Sequence, residues 1–141
     1  MKVTIYHNPK CGTSRNVLAM IRAAGIEPRI VRYLDDPLPR DTLKALFAAT
    51  GRPVRALLRR NGTPYDELGL GDPALTDEAL IDAVVRHPIL MNRPIVSTDL
   101  GTALCRPSET VAKLLPAGAL PRTHVKEDGE IVSFAANEDG T

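Results

Sequence analysis

A cysteine set among small and basic residues stands near the start of the chain, in His7-Asn8-Pro9-Lys10-Cys11-Gly12-Thr13-Ser14-Arg15. Before it runs an alternating apolar stretch, Val3-Thr4-Ile5-Tyr6. After it comes a helical pattern with Val17, Leu18, Ile21 and Ala24 on one face. The sulfur is therefore expected in the turn between a strand end and a helix start, where free amide N–H groups and the helix dipole favour an anion. A thiol so placed ionises below its reference pKa of about 8.5. His7, Lys10 and Arg15 share the loop and push the same way. Cys11 reads as a nucleophilic thiolate.

The elements that must hold this loop follow from the rest of the pattern. A strand over 2–6, the loop 7–13 and a helix over 14–24 closed by Gly25 form the first unit, and Thr13 and Ser14 are suited to capping that helix. Residues 28–34 read as a second strand, which makes a βαβ crossover. Asp35-Asp36-Pro37-Leu38-Pro39 turns into a helix over 41–50, with Asp41 at its N-cap and Leu43, Leu46 and Phe47 inward. Residues 54–60 are helical by propensity and stop at Asn61-Gly62, and 68–73 is loop. Thr76 caps a further helix that buries Leu80, Ile81, Val84 and Val85. The chain returns as a strand near 95–97 with an antiparallel partner at 100–105, and a last helix starts at Arg106-Pro107-Ser108-Glu109, with Pro107 at its first position. The order βαβ, helical block, ββα predicts an α/β fold with a thioredoxin-like mixed sheet of about four strands. In that reading the chain is one domain, with a helical insertion at about 38–90 and a charged tail over about 124–141 that turns at Asp128-Gly129 and frays after Glu138.

Composition narrows the function classes. The 141 residues carry a net charge of +1 and are 43% apolar, so no bulk electrostatic case exists for nucleic acid or an anionic membrane. No apolar run approaches the roughly 20 residues of a membrane span, and the first residues show no signal-peptide pattern. Two cysteines do not make a disulfide framework, which points to a reducing, cytoplasmic setting. No Cys/His cluster has zinc spacing, so no metal is expected. Of the 18 basic residues 13 are arginine, so a single arginine is informative only in its local context.

Five strings supply that context. They are Tyr6 to Asn16 around Cys11, Val54-Arg55-Ala56-Leu57-Leu58-Arg59, His87-Pro88-Ile89-Leu90, Asn92-Arg93-Pro94-Ile95 and Leu104-Cys105-Arg106-Pro107-Ser108-Glu109. Together, in order, they resemble the glutathione- and glutaredoxin-coupled arsenate reductases of the thioredoxin superfamily, over about residues 2–131. The resemblance implies that Cys11 is the nucleophile and that His7 helps to keep it ionised. It implies that Arg59, Arg93 and Arg106 grip arsenate and the bound arsenic intermediate. It further implies that Gly12, Thr13 and Ser14 complete the active-site loop, and that Pro94 is the cis-proline facing the cysteine. Glutathione as co-substrate and glutaredoxin as protein partner come with it, with no tightly bound cofactor.

The chemistry agrees with these assignments on independent grounds. A thiolate and a multiply charged oxyanion repel each other, and arginine can join them because its planar fork donates two parallel hydrogen bonds and keeps its charge. Lowering a thiol pKa by about two units raises the thiolate fraction at pH 7 roughly 25-fold, while falling nucleophilicity takes back about 6- to 10-fold. The arginines are therefore expected to supply most of the catalysis by positioning and charge. Reducing arsenate takes two electrons. The loop reads C-x-x-S, with Ser14 where a resolving cysteine would stand, and the one other thiol, Cys105, follows an apolar run and reads as a buried structural residue. An external thiol must finish the reaction. His87 reads as a helix C-terminal residue and His124 as solvated. Two alternatives stay open: an RNA polymerase-binding regulator similar to the Spx branch, which typically carries C-x-x-C, and a general glutathione-dependent thiol reductase.

Overall fold

The computed structural model describes residues 1–134, which fall into two compact units, one built from Met1–Val31 with the chain from Arg93 onward and the other from Arg32–Asn92. In the first unit β1 (Val3–Tyr6), β2 (Arg29–Val31), β3 (Ile95–Thr98) and β4 (Gly101–Leu104) make one sheet in the order β2-β1-β3-β4. β1 and β2 are parallel and joined through α1 (Gly12–Ala23), while β1–β3 and β3–β4 are antiparallel. The alternation of β1 has a plain cause. Val3 and Ile5 turn into the core, and Thr4 and Tyr6 face the half-exposed side. Val17, Met20 and Ile21 of α1 meet them, and Val96, Cys105, Val111 and Leu114 complete the cluster. Each such side chain contributes about 1.5–3 kcal/mol by leaving water. α1 ends where Gly25, at φ +81°, returns its N–H to the Arg22 carbonyl at 2.9 Å.

The first unit also contains a hairpin, β5 (Thr123–Val125) with β6 (Ile131–Ser133), in the stretch expected to be a charged tail. Its turn lies at Asp128-Gly129, with Gly129 at φ +94° and Lys126 N–H donating to the Glu130 carbonyl at 2.7 Å. Val132 and Phe134 anchor it in the core. The Asp-Gly pair suits such a tight turn between strands. Glu138 and the rest of 135–141 lie outside the described residues.

The second unit, 32–92, takes in the segment read as a helical insertion. It packs α2 (Arg40–Ala49) and α3 (Asp77–Arg86) with 3₁₀ turns at Val54–Leu57 and Pro88–Leu90. Leu43, Phe47, Leu57, Leu80, Ile81 and Leu90 are its buried centre. Thr76 caps α3 as expected, its Oγ1 accepting the Ala79 N–H at 3.2 Å.

Several boundaries differ from the sequence reading, each for a local reason. α1 starts at Gly12 with Cys11 as its N-cap, because the hydroxyl of Ser14 is engaged by His7 and Asn8 and caps nothing. α2 begins after Pro39, which leaves Asp41 within the first turn. Residues 54–60 are helical only through Leu57, because Leu58 turns extended and bridges Met91. Val85 is exposed, since the inward face of α3 runs through Leu80, Ile81 and Val84. The last helix is a 3₁₀ run, Ser108–Leu114, with Pro107 flanking it after a cis Arg106–Pro107 bond.

Candidate active site

Strand register decides which residues meet at the sheet end above the cysteine. Ile95 pairs with Leu104 across β3–β4, so two residues further along Arg93 stands opposite Arg106. Tyr6 pairs with Ile95 across β1–β3, so the loop that follows β1 starts beside the same end. Pro94 holds a cis bond to Arg93 at the head of β3, and its carbonyl accepts the Cys105 N–H at 2.9 Å. The Arg106 Nη1 donates to the Arg93 carbonyl at 3.0 Å and to the Cys11 Sγ at 3.6 Å. Nε and Nη1 of Arg93 are shut off from solvent. The fold thus brings Cys11, Arg93 and Arg106 together.

The loop itself is held by a buried polar knot. Asn8 and Ser14 are almost wholly buried, as is His7. The Ser14 Oγ accepts the Asn8 N–H at 3.1 Å and lies 2.6 Å from His7 Nδ1. The Asn8 Oδ1 accepts the Lys10 N–H, and the Asn8 carbonyl accepts the Cys11 N–H, each at 3.0 Å. The strand end and the first turn of α1 are thereby tied into one piece. Asn8 escaped the sequence reading; an asparagine two residues before a turn is its usual signature.

Burial of the Cys11 sulfur opposes ionisation, yet its pKa lies below the ordinary thiol value. The opposing influences are first the backbone N–H of Ser14 at the third position of α1, then hydrogen bonds from Arg93 and Arg106, then the Arg93 charge. The Ser14 N–H faces the sulfur from the first turn of α1, where the free amides favour an anion. Of the loop groups expected to help, Lys10 is exposed and Arg15 pairs with Glu127 at 2.7 Å, while His7 engages Ser14. The charge that stabilises the thiolate comes from Arg93 and Arg106, which flank strands that end beside the loop but lie far from it in sequence. Gly12 and Thr13 open α1 directly after the sulfur.

Arg59 belongs to the second unit. It follows the Val54–Leu57 turn, gives its N–H to the Leu90 carbonyl at 2.7 Å and its Nε to the Asn61 carbonyl at 3.1 Å. Cys105 is fully buried, with its thiol pushed up to about 12 by desolvation. His87 is the C-cap of α3 and His124 sits half-buried on β5.

Of the three arginines that the resemblance implied, the structure sets Arg93 and Arg106 beside Cys11, with a cis bond at Pro94, while Arg59 belongs to the other unit; comparison with known proteins decides the family. The model of the ArsC family matches residues 6–114. The chain belongs to the ArsC family. This family member is 59% identical over 142 residues to the arsenate reductase of Rhizobium meliloti, with 98% of each chain covered. It is 58% identical over 130 residues to an arsenate reductase of Escherichia coli, with 92% of each covered. Among solved structures, the arsenate reductase from Vibrio cholerae superposes with a TM-score of 0.78 at 42% identity, covering 82% of this chain and 98% of that one. The ArsC-family chain accordingly has the thioredoxin-like α/β fold. Among the described residues no helix is long and apolar enough to cross a membrane.

Proposed function

We propose that this chain reduces arsenate to arsenite through a covalent arsenic adduct on Cys11. The observation that carries the reading is the Cys11 sulfur lying under the Ser14 N–H and the Arg93 and Arg106 guanidiniums. The Cys11 thiolate attacks arsenic, and one arsenate oxygen leaves as water after protonation. A second thiol then takes the adduct to arsenite. Overall, arsenic acid and two thiols give arsenous acid, one disulfide and one water, so the two electrons come from sulfur. Arg93 and Arg106 offset the repulsion between thiolate and oxyanion and hold the oxygens that gain charge. Arg59 is the third arginine in this reading. His7 acts through Ser14 by keeping the loop in shape, and Gly12, Thr13 and cis-Pro94 shape the pocket around the sulfur.

The second thiol is external. Cys105 is buried and its pKa of about 12 leaves almost no thiolate at neutral pH. Glutathione, with glutaredoxin to recycle it, fits a chain whose loop carries Ser14 in place of a resolving cysteine, and a cytoplasmic setting would supply both. The Spx-like regulator reading loses ground on the same serine. Arsenate-dependent NADPH oxidation with glutathione, glutaredoxin and glutathione reductase tests the proposal, beside a Cys11→Ser control. A steady rate that vanishes in the variant is expected; no arsenate-dependent rate in the unaltered chain would sink it.

A further inference from the structure

We infer that Arg15 is the receptor for a carboxylate of the reducing thiol, and that Glu127 on the β5–β6 hairpin holds that place until the thiol arrives. This rests on the proposed need for an external thiol at Cys11. Arg15 stands on the first turn of α1, four residues past the sulfur and near enough to interact with its charge. Its guanidinium already shows how it takes a carboxylate. Nε and Nη2 donate to Glu127 at 3.0 and 2.7 Å, the forked geometry that favours planar anions, while Nη1 donates to the Pro9 carbonyl at 2.8 Å. The backbone bond fixes the fork beside the loop whatever carboxylate it meets.

Two features mark the Glu127 side as exchangeable. The side chains of the pair are 44% and 45% exposed, so the ion pair adds little stability, and an incoming carboxylate replaces it on nearly equal terms. The second feature is Gly12. Its φ lies outside the left-handed region, so the backbone does not require glycine there. Space gives the reason. A Cβ on Gly12 would sit 3.2 Å from the Glu127 Oε1 and 3.6 Å from the Arg15 Nη2, so the missing side chain leaves a cradle for a carboxylate against the fork. The hairpin that supplies Glu127 is secured on its other flank by Lys126, paired to Glu109 at 2.7 Å, and by the Glu127 N–H donating to Asn16 Oδ1 at 3.1 Å. Glu127 can therefore yield its carboxylate partner while the hairpin stays docked. A small thiol with carboxylates, such as glutathione, fits this cradle and an uncharged thiol does not.

The test uses the full chain without arsenate. The Cys11 thiolate attacks a symmetrical disulfide, the S–S bond breaks, one half stays as a mixed disulfide on Cys11 and the other leaves as thiolate. Rates are followed by mass spectrometry with glutathione disulfide and, in parallel, with uncharged bis(2-hydroxyethyl) disulfide. Arg15→Ala is expected to slow the glutathione reaction about tenfold, Arg15→Lys to recover part of it, and Glu127→Gln to speed it several-fold. The uncharged disulfide should change by less than about twofold throughout, which also reports that the loop remains folded. Equal changes with both disulfides, or no change with either, would overturn the assignment. An intact charge preference in a chain that turned out inactive on arsenate would leave this site standing and remove the arsenate reading alone.

Discussion

The chain carries two thiols at opposite extremes, one half-buried at a helix start and one fully buried beside a strand end. Cys105 lies in the core, where its thiol, a weak donor, makes a long hydrogen bond to the Ala103 carbonyl at 3.7 Å, and desolvation pushes its pKa up to about 12. Cys11 is also partly desolvated, but meets an aimed backbone N–H and two guanidiniums, and its pKa falls. Arg106 is the immediate neighbour of Cys105, yet it charges the pocket of Cys11, 95 residues away in sequence. Successive residues of an extended chain point to opposite sides. The residue type therefore decides nothing about reactivity; the side of the sheet and the element facing it decide.

The largest expected difference between the two thiols is in turnover. Cys11→Ser should lower arsenate reduction by roughly 10⁴-fold or more, the scale for losing a nucleophile. Cys105→Ala should leave the rate within about threefold and reduce stability by about 1–2 kcal/mol through a small cavity. Measuring kcat and urea midpoints for both variants checks this. A Cys105 variant as inactive as the Cys11 variant would erase the contrast and bring an internal disulfide back.

Next come the arginines. Arg93→Ala and Arg106→Ala should each lower kcat/KM for arsenate by roughly 10²- to 10³-fold and raise the pH midpoint of Cys11 alkylation by iodoacetamide. Arg59→Ala is expected to lower kcat/KM by a comparable factor. Unchanged efficiency in the triple variant would mean that the pocket charge has no catalytic part.

The same pair gives opposite slopes of stability against pH. Cys11 has a lowered folded pKa, so between that value and the unfolded value near 8.5 the unfolded chain holds more protons and stability rises with pH. Its contribution is complete above the unfolded value and is lost as pH falls through the folded one. Cys105 has a raised folded pKa, so from about 8.5 to about 12 the unfolded chain holds fewer protons and stability falls. Denaturation midpoints from pH 7 to 10.5 in the Cys105→Ala variant should lose part of the alkaline decline; an unchanged decline would mean that Cys105 is not kept protonated.

Much of this arrangement was legible because it is local. The Val3–Tyr6 alternation, the helical face of Val17 and Ile21, the Thr76 cap and the β3–β4 pairing all follow from short-range periodicity and turn chemistry. The proximity of Arg93 and Arg106 was implied by resemblance, and only the register explains it. What was not legible depends on partners far away in sequence. Ser14 looks like a cap but is used by Asn8 and His7, and Arg15, whose charge still reaches Cys11, gives its fork to Glu127, 112 residues on. The hairpin over 123–133 read as a tail because short, charged strands carry little hydrophobic pattern, and its hold comes from buried Val132, the adjoining Phe134 and polar contacts to residues distant in sequence.

Ser14 offers the finest separation of influences on the Cys11 side of the comparison. Its backbone N–H is the largest of the influences lowering the sulfur's pKa, whereas its hydroxyl serves the Asn8 N–H and His7. Ser14→Ala removes the second function and keeps the first. The buried Asn8 N–H then lacks its hydroxyl acceptor, which should reduce stability by about 1–3 kcal/mol. The alkylation midpoint of Cys11 should rise by less than in either arginine variant, because the amide and both guanidiniums remain. Alkylation profiles of the three variants, recorded at one ionic strength, test the ranking. If Ser14→Ala instead returned Cys11 to the ordinary thiol value, the hydroxyl network rather than the amide and the arginines would be holding the charge, and the contrast between the two thiols would rest on loop geometry alone.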